Sequence, residues 1–327
     1  MRKEIVVAIV AGVLVGLIIA FGVWRANRAI DLNPGNENTP QNTQAISDFG
    51  LTLVSPSNRQ IVSEDAVVVS GATSANSTVV ILTAQDEYLA QADAKGAFEM
   101  EVELVAGLNQ LAVYAFDQNL QTATEHINVV YSTQFSVNED EDTQEATDSA
   151  DALRQRVQEK LEKVASSPVF YVGAITDKQE STLQISNFAL PGEETGTGSI
   201  SQIAVEEDAE IVGANGSEQT FEDVAIGDFI IAMGFVANGD EVLSAKRILI
   251  TSIPEQLEKL AFVGNISEIQ SKKATVSGLE ENLEIAFGSR WVGPEISDFE
   301  DGEPVLVITE ADDADNLVLL IEKLSEL

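Results

Sequence analysis

The chain has 327 residues, 44% of them apolar, enough to build the cores of two or three domains. Its 54 acids against 18 bases give a net charge of −36, which repels phosphate backbones and anionic lipid and argues against nucleic acid as a partner. With no cysteine and one histidine it can form no disulfide, and it cannot fill the usual ligand set of zinc.

Ile5 to Trp24 is an apolar run without a charge. At about 1.5 Å per residue it spans roughly 30 Å, the hydrocarbon thickness of a bilayer. A cleaved signal peptide has a shorter apolar core and a small-x-small site, and Trp24-Arg25-Ala26-Asn27-Arg28-Ala29 fits that poorly. Residues 1–30 are therefore expected to be an uncleaved transmembrane signal anchor. Arg2 and Lys3 precede the span and Arg25 and Arg28 follow it, so the local basic count is balanced. The free amino terminus tips the expectation towards a cytoplasmic N-terminus and an extracytoplasmic C-terminal ectodomain, a single-pass protein of the cell membrane. Gly12 and Gly16 form a small-xxx-small pair, which can bring two helices close or simply be tolerated.

Residues 31–50 are polar and broken by Pro34 and Pro40, the composition of a flexible spacer about 25 Å long on average. From 51 to 132 short apolar runs recur at regular spacing, the pattern of a β-sandwich. The predicted strands are Leu51–Val54, Val67–Gly71, Thr78–Leu82, Ala97–Leu104, Asn109–Phe116 and Ile127–Tyr131. In Ala97–Leu104, Phe98, Met100, Val102 and Leu104 share one face and Glu99, Glu101 and Glu103 the other.

Pro56, Val69-Ser70-Gly71-Ala72-Thr73, Asp93-Ala94-Lys95-Gly96-Ala97-Phe98, Gly107-Leu108-Asn109 and Ala115-Phe116-Asp117 resemble bacterial immunoglobulin-like domains, in particular the accessory B domain type of glucodextranase. The resemblance covers about a quarter of the chain and its motifs are turns. It implies an Ig-like sandwich acting as a spacer or adhesive unit on a cell surface, and it brings no catalytic residue.

Residues 133–167 are read as an acidic linker, Glu139 to Asp142 at its centre, followed by an amphipathic helix from about Asp148 to Ser166. Its stripe of Leu153, Val157, Leu161 and Val164 could form a dimer seam or pack on the next domain.

The remainder holds two copies of one unit, 168–252 and 253–327. Tyr171–Asp177 matches Phe262–Glu268, Leu183–Ser186 matches Ala274–Ser277, and Ile211-Val212-Gly213 matches Trp291-Val292-Gly293. Asp223–Phe229 aligns with Asp298–Pro304, and Val242–Leu249 with Leu317–Leu324. A short helical link is expected at Pro254 to Leu260. Short strands closed by glycine turns predict two small OB-like β-barrels. The Gly227-Asp228 turn, its following strand and Ala245-Lys246-Arg247-Ile248 resemble a bacterial family of small β-barrel domains of unknown function, which implies no mechanism. The fold class expected is mainly β, with the N-terminal helix and one amphipathic helix.

Catalytic signals are sparse. His126 has no nucleophile set around it in sequence and reads as a solvated strand residue. Gly192-Glu193-Glu194-Thr195-Gly196-Thr197-Gly198 lacks the lysine of a phosphate loop and reads as a flexible hairpin insertion. Calcium is the one cofactor considered, with Asp312, Asp313 and Asp315 the candidate ligands, against the simpler reading of a solvated acidic turn. Sugar-stacking candidates are Trp291, Tyr88 and Phe188. The expected function is a membrane-anchored, non-enzymatic binding or scaffold protein of the bacterial cell surface. Its partners would be the membrane, through the N-terminal helix, and an extracellular protein or a cell-wall glycan. The alternatives are a carbohydrate- or cell-wall-binding protein and, third, a glycan-acting enzyme.

Overall fold

The computed structural model describes residues 49–135, 167–193, 198–236, 242–289, 291–312 and 315–325. The apolar run at 5–24 and the amphipathic stretch at 148–166 lie outside them. Among the described residues no helix is long and apolar enough to cross a membrane.

Eight strands form the first module: β1 (Thr52–Ser55), β2 (Gln60–Val62), β3 (Ala66–Ala72), β4 (Thr78–Leu82), β5 (Glu87–Gln91), β6 (Ala97–Glu103), β7 (Gly107–Phe116) and β8 (Thr122–Tyr131). One sheet has the order β1-β3-β6, the other β2-β8-β7-β4-β5. Val69, Phe98 and Val102 of the first sheet and Val79, Ile81, Leu111, Val113, Ile127 and Val129 of the second close on each other as one core. The packing is that of a two-sheet sandwich. All six predicted strands are present, and β2 and β5 are additional.

The resembling motifs are turns that fix strand register. The Asp93 carboxylate accepts from the backbone of Lys95 at 2.7 Å and of Ala97 at 2.9 Å, which holds its carboxyl below the usual range. Gly96 sits there at φ +84°, where a side chain would strike the Thr73 carbonyl. The buried Asn109 side chain pins 105–107, accepting from Val105 at 2.9 Å and donating to the carbonyls of Val105 and Gly107.

Two five-stranded barrels follow. The first contains β9 (Val169–Gln179), β10 (Thr182–Asn187), β11 (Ile200–Val212), β13 (Phe229–Val236) and β14 (Val242–Thr251), with β12 (Glu218–Gln219) paired onto β11. The second contains β15 (Lys259–Ser267), β16 (Lys273–Ser277), β17 (Asn282–Ala286), β18 (Pro304–Asp312) and β19 (Asp315–Lys323). Both run first-second-third-fifth-fourth and close on the first strand, with the third and fifth strands parallel. The repeat read from the sequence is thus a repeat of topology. Each barrel has a 3-10 turn before its fourth strand, at Phe221–Asp223 and Ile296–Asp298. Lysine covers each turn from a different strand. Lys178 donates to the carbonyls of Phe221 and Val224 at 2.6 and 2.7 Å, and Lys323 to that of Asp298 at 2.7 Å.

Two expectations change. Residues 252–258 carry no helix, and β15 begins at Lys259. The last strands also align two residues earlier than the sequence match implies. Bulges at Met233/Gly234 and Ile308/Thr309 coincide, which places the buried Ile248 on the buried Ile321.

Candidate functional site

The outward face of the β2-β8-β7-β4-β5 sheet is where the three modules meet. Alternation along β7 and β8 sends Leu108, Gln110, Ala112, Tyr114 and Phe116, with His126, Asn128 and Val130, away from the sandwich core. Paired across the strands they make three zones. Leu108 lies opposite Val130, Gln110 opposite Asn128, and Ala112 opposite His126.

The apolar zone at the β2 side packs on the first barrel: Ile61 and Val130 meet Phe170, Val172, Leu190, Ile231 and Met233. Strand pairing continues from one module to the other. Gln60 of β2 faces Val169 of β9, Ile61 N–H donates to the Pro168 carbonyl at 3.2 Å, and Phe170 N–H donates to the Arg59 carbonyl at 3.3 Å. Beside this seam Arg59 grips Glu193 with both arms of its guanidinium, at 2.7 and 2.6 Å, and the Glu193 side chain is only 5% exposed. Such a two-pronged pair is directional as well as strong. Asn58 adds a third bond to the same carboxylate.

The second apolar zone, Val80, Leu82, Ala112, Tyr114 and Phe116, is covered by Ala261, Val263, Leu306 and Ile308 of the second barrel. Burial pushes the Tyr114 hydroxyl up from its ordinary pKa, against a backbone hydrogen bond from Ala261. At the margin Lys259, 5% exposed along its side chain, donates to Glu87 at 2.5 Å.

Between the two zones runs the polar strip of Gln110, Asn128 and His126. Asn128 is fully buried and donates to the Pro191 carbonyl at 3.1 Å and, from its backbone, to Asn58 at 2.8 Å. Gln110 donates to the Glu255 carbonyl at 3.2 Å and so fastens the segment joining the barrels. His126 is half-buried rather than solvated: a side chain on Gly192 would come within 2.6 Å of its Cβ. Desolvation lowers its pKa, against the raising effect of Glu125. A cavity of about 200 Å³ lies against this strip, and a larger one of about 680 Å³ opens beside it. Sequence reasoning did not single out this junction. The one available signal was β4 and β7, apolar on both faces, where one face would serve the sandwich core.

The predicted aromatic residues fall in three separate places. Tyr88, on β5, packs against the sandwich core and accepts a hydrogen bond from Glu103 N–H at 3.1 Å. Phe188 lies edge-on to Phe229 at 5.5 Å within the first barrel's docking cluster. Trp291 lies edge-on to Phe287 at 5.3 Å in the second barrel. Of the acidic candidates, Asp312 pairs with Asp315 across the β18–β19 ladder, and Asp315 accepts from Lys273 at 2.5 Å. Asp313 lies outside the described residues. Among the described residues no three His, Asp or Glu side chains are grouped so as to hold a metal ion.

No protein-family model matches the chain, and no curated protein does. Among solved structures it is similar to a tetra-tandem repeat in the extending region of a large adhesion protein, at 13% identity over 84% of this chain and 72% of that one, with a TM-score of 0.21. It is also similar to a Ca2+-stabilized adhesin that helps an Antarctic bacterium reach out and bind ice, at 14% identity, 84% and 74% coverage and a TM-score of 0.19. A third is a 1.5-MDa bacterial ice-binding adhesin described for its retention on the host cell surface, at 10% identity, 84% and 95% coverage and a TM-score of 0.18. Likeness at this level carries no argument about fold or function.

Proposed function

We propose that this is a membrane-tethered, extracytoplasmic binding and scaffold protein of the bacterial cell surface, with no enzymatic activity. In this reading residues 1–30 anchor a single-pass chain whose N-terminus is cytoplasmic, and 31–50 act as spacer. An Ig-like sandwich (51–132) and two OB-like barrels (168–252 and 253–327) form the head, with 133–167 as an acidic linker and helix. The observation that carries it is the covered outer face of one sandwich sheet. Both barrels pack there through buried side chains and ion pairs, so the head presents one fixed surface rather than three independently swinging modules. That geometry suits presentation of a surface to a partner, and the half-buried His126 serves a joint. A glycan partner would need a shared aromatic platform. Tyr88, Phe188 and Trp291 lie in different clusters.

The test is a pull-down with the detergent-solubilised full chain against envelope protein, purified cell walls and polysaccharides, with and without calcium. Saturable capture of a protein supports the reading. Saturable retention on glycan alone, weakened by Trp291→Ala or Tyr88→Ala, would replace it with the carbohydrate reading. Turnover of a glycan or peptide, abolished by changing one acid pair, would sink it.

A further inference from the structure

Two barrels packed on one sheet of the sandwich leave a gap where the three modules meet, a groove of about 680 Å³. That volume lies within the roughly 300–1,000 Å³ of ordinary ligand sites, which favour domain junctions. All three modules line it: the Val105–Gln110 segment of the sandwich, the Ile231 and Leu249 side of the first barrel, and Glu310 of the second, with 252–258 along one wall. Two exposed apolar side chains stand in that lining, Val105 at 42% and Ile253 at 61%. Three exposed carboxylates, Glu255, Glu258 and Glu310, also line it. Among the described residues the lining contains one cation, Lys259, and its charge is already matched by Glu87. The groove is therefore apolar and acidic, with its wall segment held in place by the Gln110 bond to Glu255.

We propose that this junction groove binds a short extended peptide in which basic and apolar residues alternate. An extended strand sends successive side chains to opposite sides. Its apolar side chains would meet Val105 and Ile253, and its basic ones Glu255, Glu258 and Glu310. An acidic peptide would face three uncompensated carboxylates, and an anionic glycan the same. The inference rests on the proposed binding role and deepens it by naming a site and a partner class.

The probe is a fluorescein-labelled hexapeptide, Lys-Val-Lys-Leu-Lys-Val, titrated with the detergent-solubilised full chain in about 0.15 M salt, where the Debye length is about 8 Å. Fluorescence anisotropy reads the affinity. The groove variant is Glu255→Gln/Glu258→Gln/Glu310→Gln. The control, Glu99→Gln/Glu101→Gln/Glu103→Gln, removes the same charge from the open face of the other sheet. We expect the groove variant and Ile253→Ser each to weaken binding by about tenfold or more, and the control by less than about twofold. Equal weakening by both triple variants would overturn the proposal, because it would show diffuse attraction to an acidic protein. So would equal binding of hexalysine, or no binding below about 1 mM. The envelope pull-down reads partner capture at any surface, so a failed groove leaves its result standing.

Discussion

The two sheets of the sandwich share one core and differ on their outer faces. On β6, Glu99, Glu101 and Glu103 stand in water opposite Ser70, Val68 and Ala66 of β3. On β4 and β7 the outward positions are Val80, Leu82, Tyr114 and Phe116, and the second barrel covers them. An alternating strand is a strand with one dry side, and a strand apolar at every position has two. The β2-β8-β7-β4-β5 sheet is consequently an internal layer of the head, while the β1-β3-β6 sheet is its free surface.

The largest way to break this contrast is a charge on the covered face. Leu82→Asp should cost about 3–5 kcal/mol through lost burial and an unpaired carboxylate. Urea denaturation would measure it, and protease cleavage within 252–258 should appear as the second barrel lifts. Unchanged stability would mean that the face is not covered in solution. Next come the ion pairs at the joint. Glu87→Ala strands a buried ammonium and should cost about 2–4 kcal/mol. Lys259→Met should cost under about 1 kcal/mol, since Glu87 is 26% exposed and can rehydrate. Equal costs would show that the pair acts only through packing.

A smaller effect is the pH dependence of the joint. Desolvation depresses the folded pKa of His126 below its ordinary 6.5, so the unfolded chain binds the proton more readily. Stability should be fully present above about pH 6.5 and fall as acid titrates the folded imidazole. No other histidine and no cysteine shares that range. Thermal melts between pH 7.5 and 5 should show the decline, and His126→Gln should flatten it. A slope that survives in the variant would assign it to carboxylates. The smallest effect belongs to the free surface: Val68→Lys, at a position 43% exposed, should change stability by no more than about 0.5 kcal/mol.

Some of this was legible in the sequence and some was not, for reasons that differ by element. The period of two in Ala97–Leu104 survives because water faces one side, and the same reading located β4 and β7 as strands. It could not say what covered their second face, because the cover is another amphipathic module far along the chain. Glu193, in a glycine- and acid-rich stretch, looks like a solvated turn. Its burial depends on Arg59, 134 positions away. The strand β2 has only three residues, too few to carry a period, yet it joins two modules. The two-residue offset of β19 escaped because the β18–β19 hairpin returns two residues sooner than the β13–β14 hairpin: Gly234 pairs with Ala245, and the equivalent Thr309 with Val318.

The covered sheet also sets an order of events during synthesis. Val80 to Phe116 emerge early, and the residues that shield them begin at Leu257. That is a delay of about 140 residues, roughly 7–28 s at about 5–20 residues per second. Through that interval the nascent chain carries an apolar strip with no partner of its own. Shielding of that strip until the second barrel has been made thus becomes part of how these modules reach their finished form.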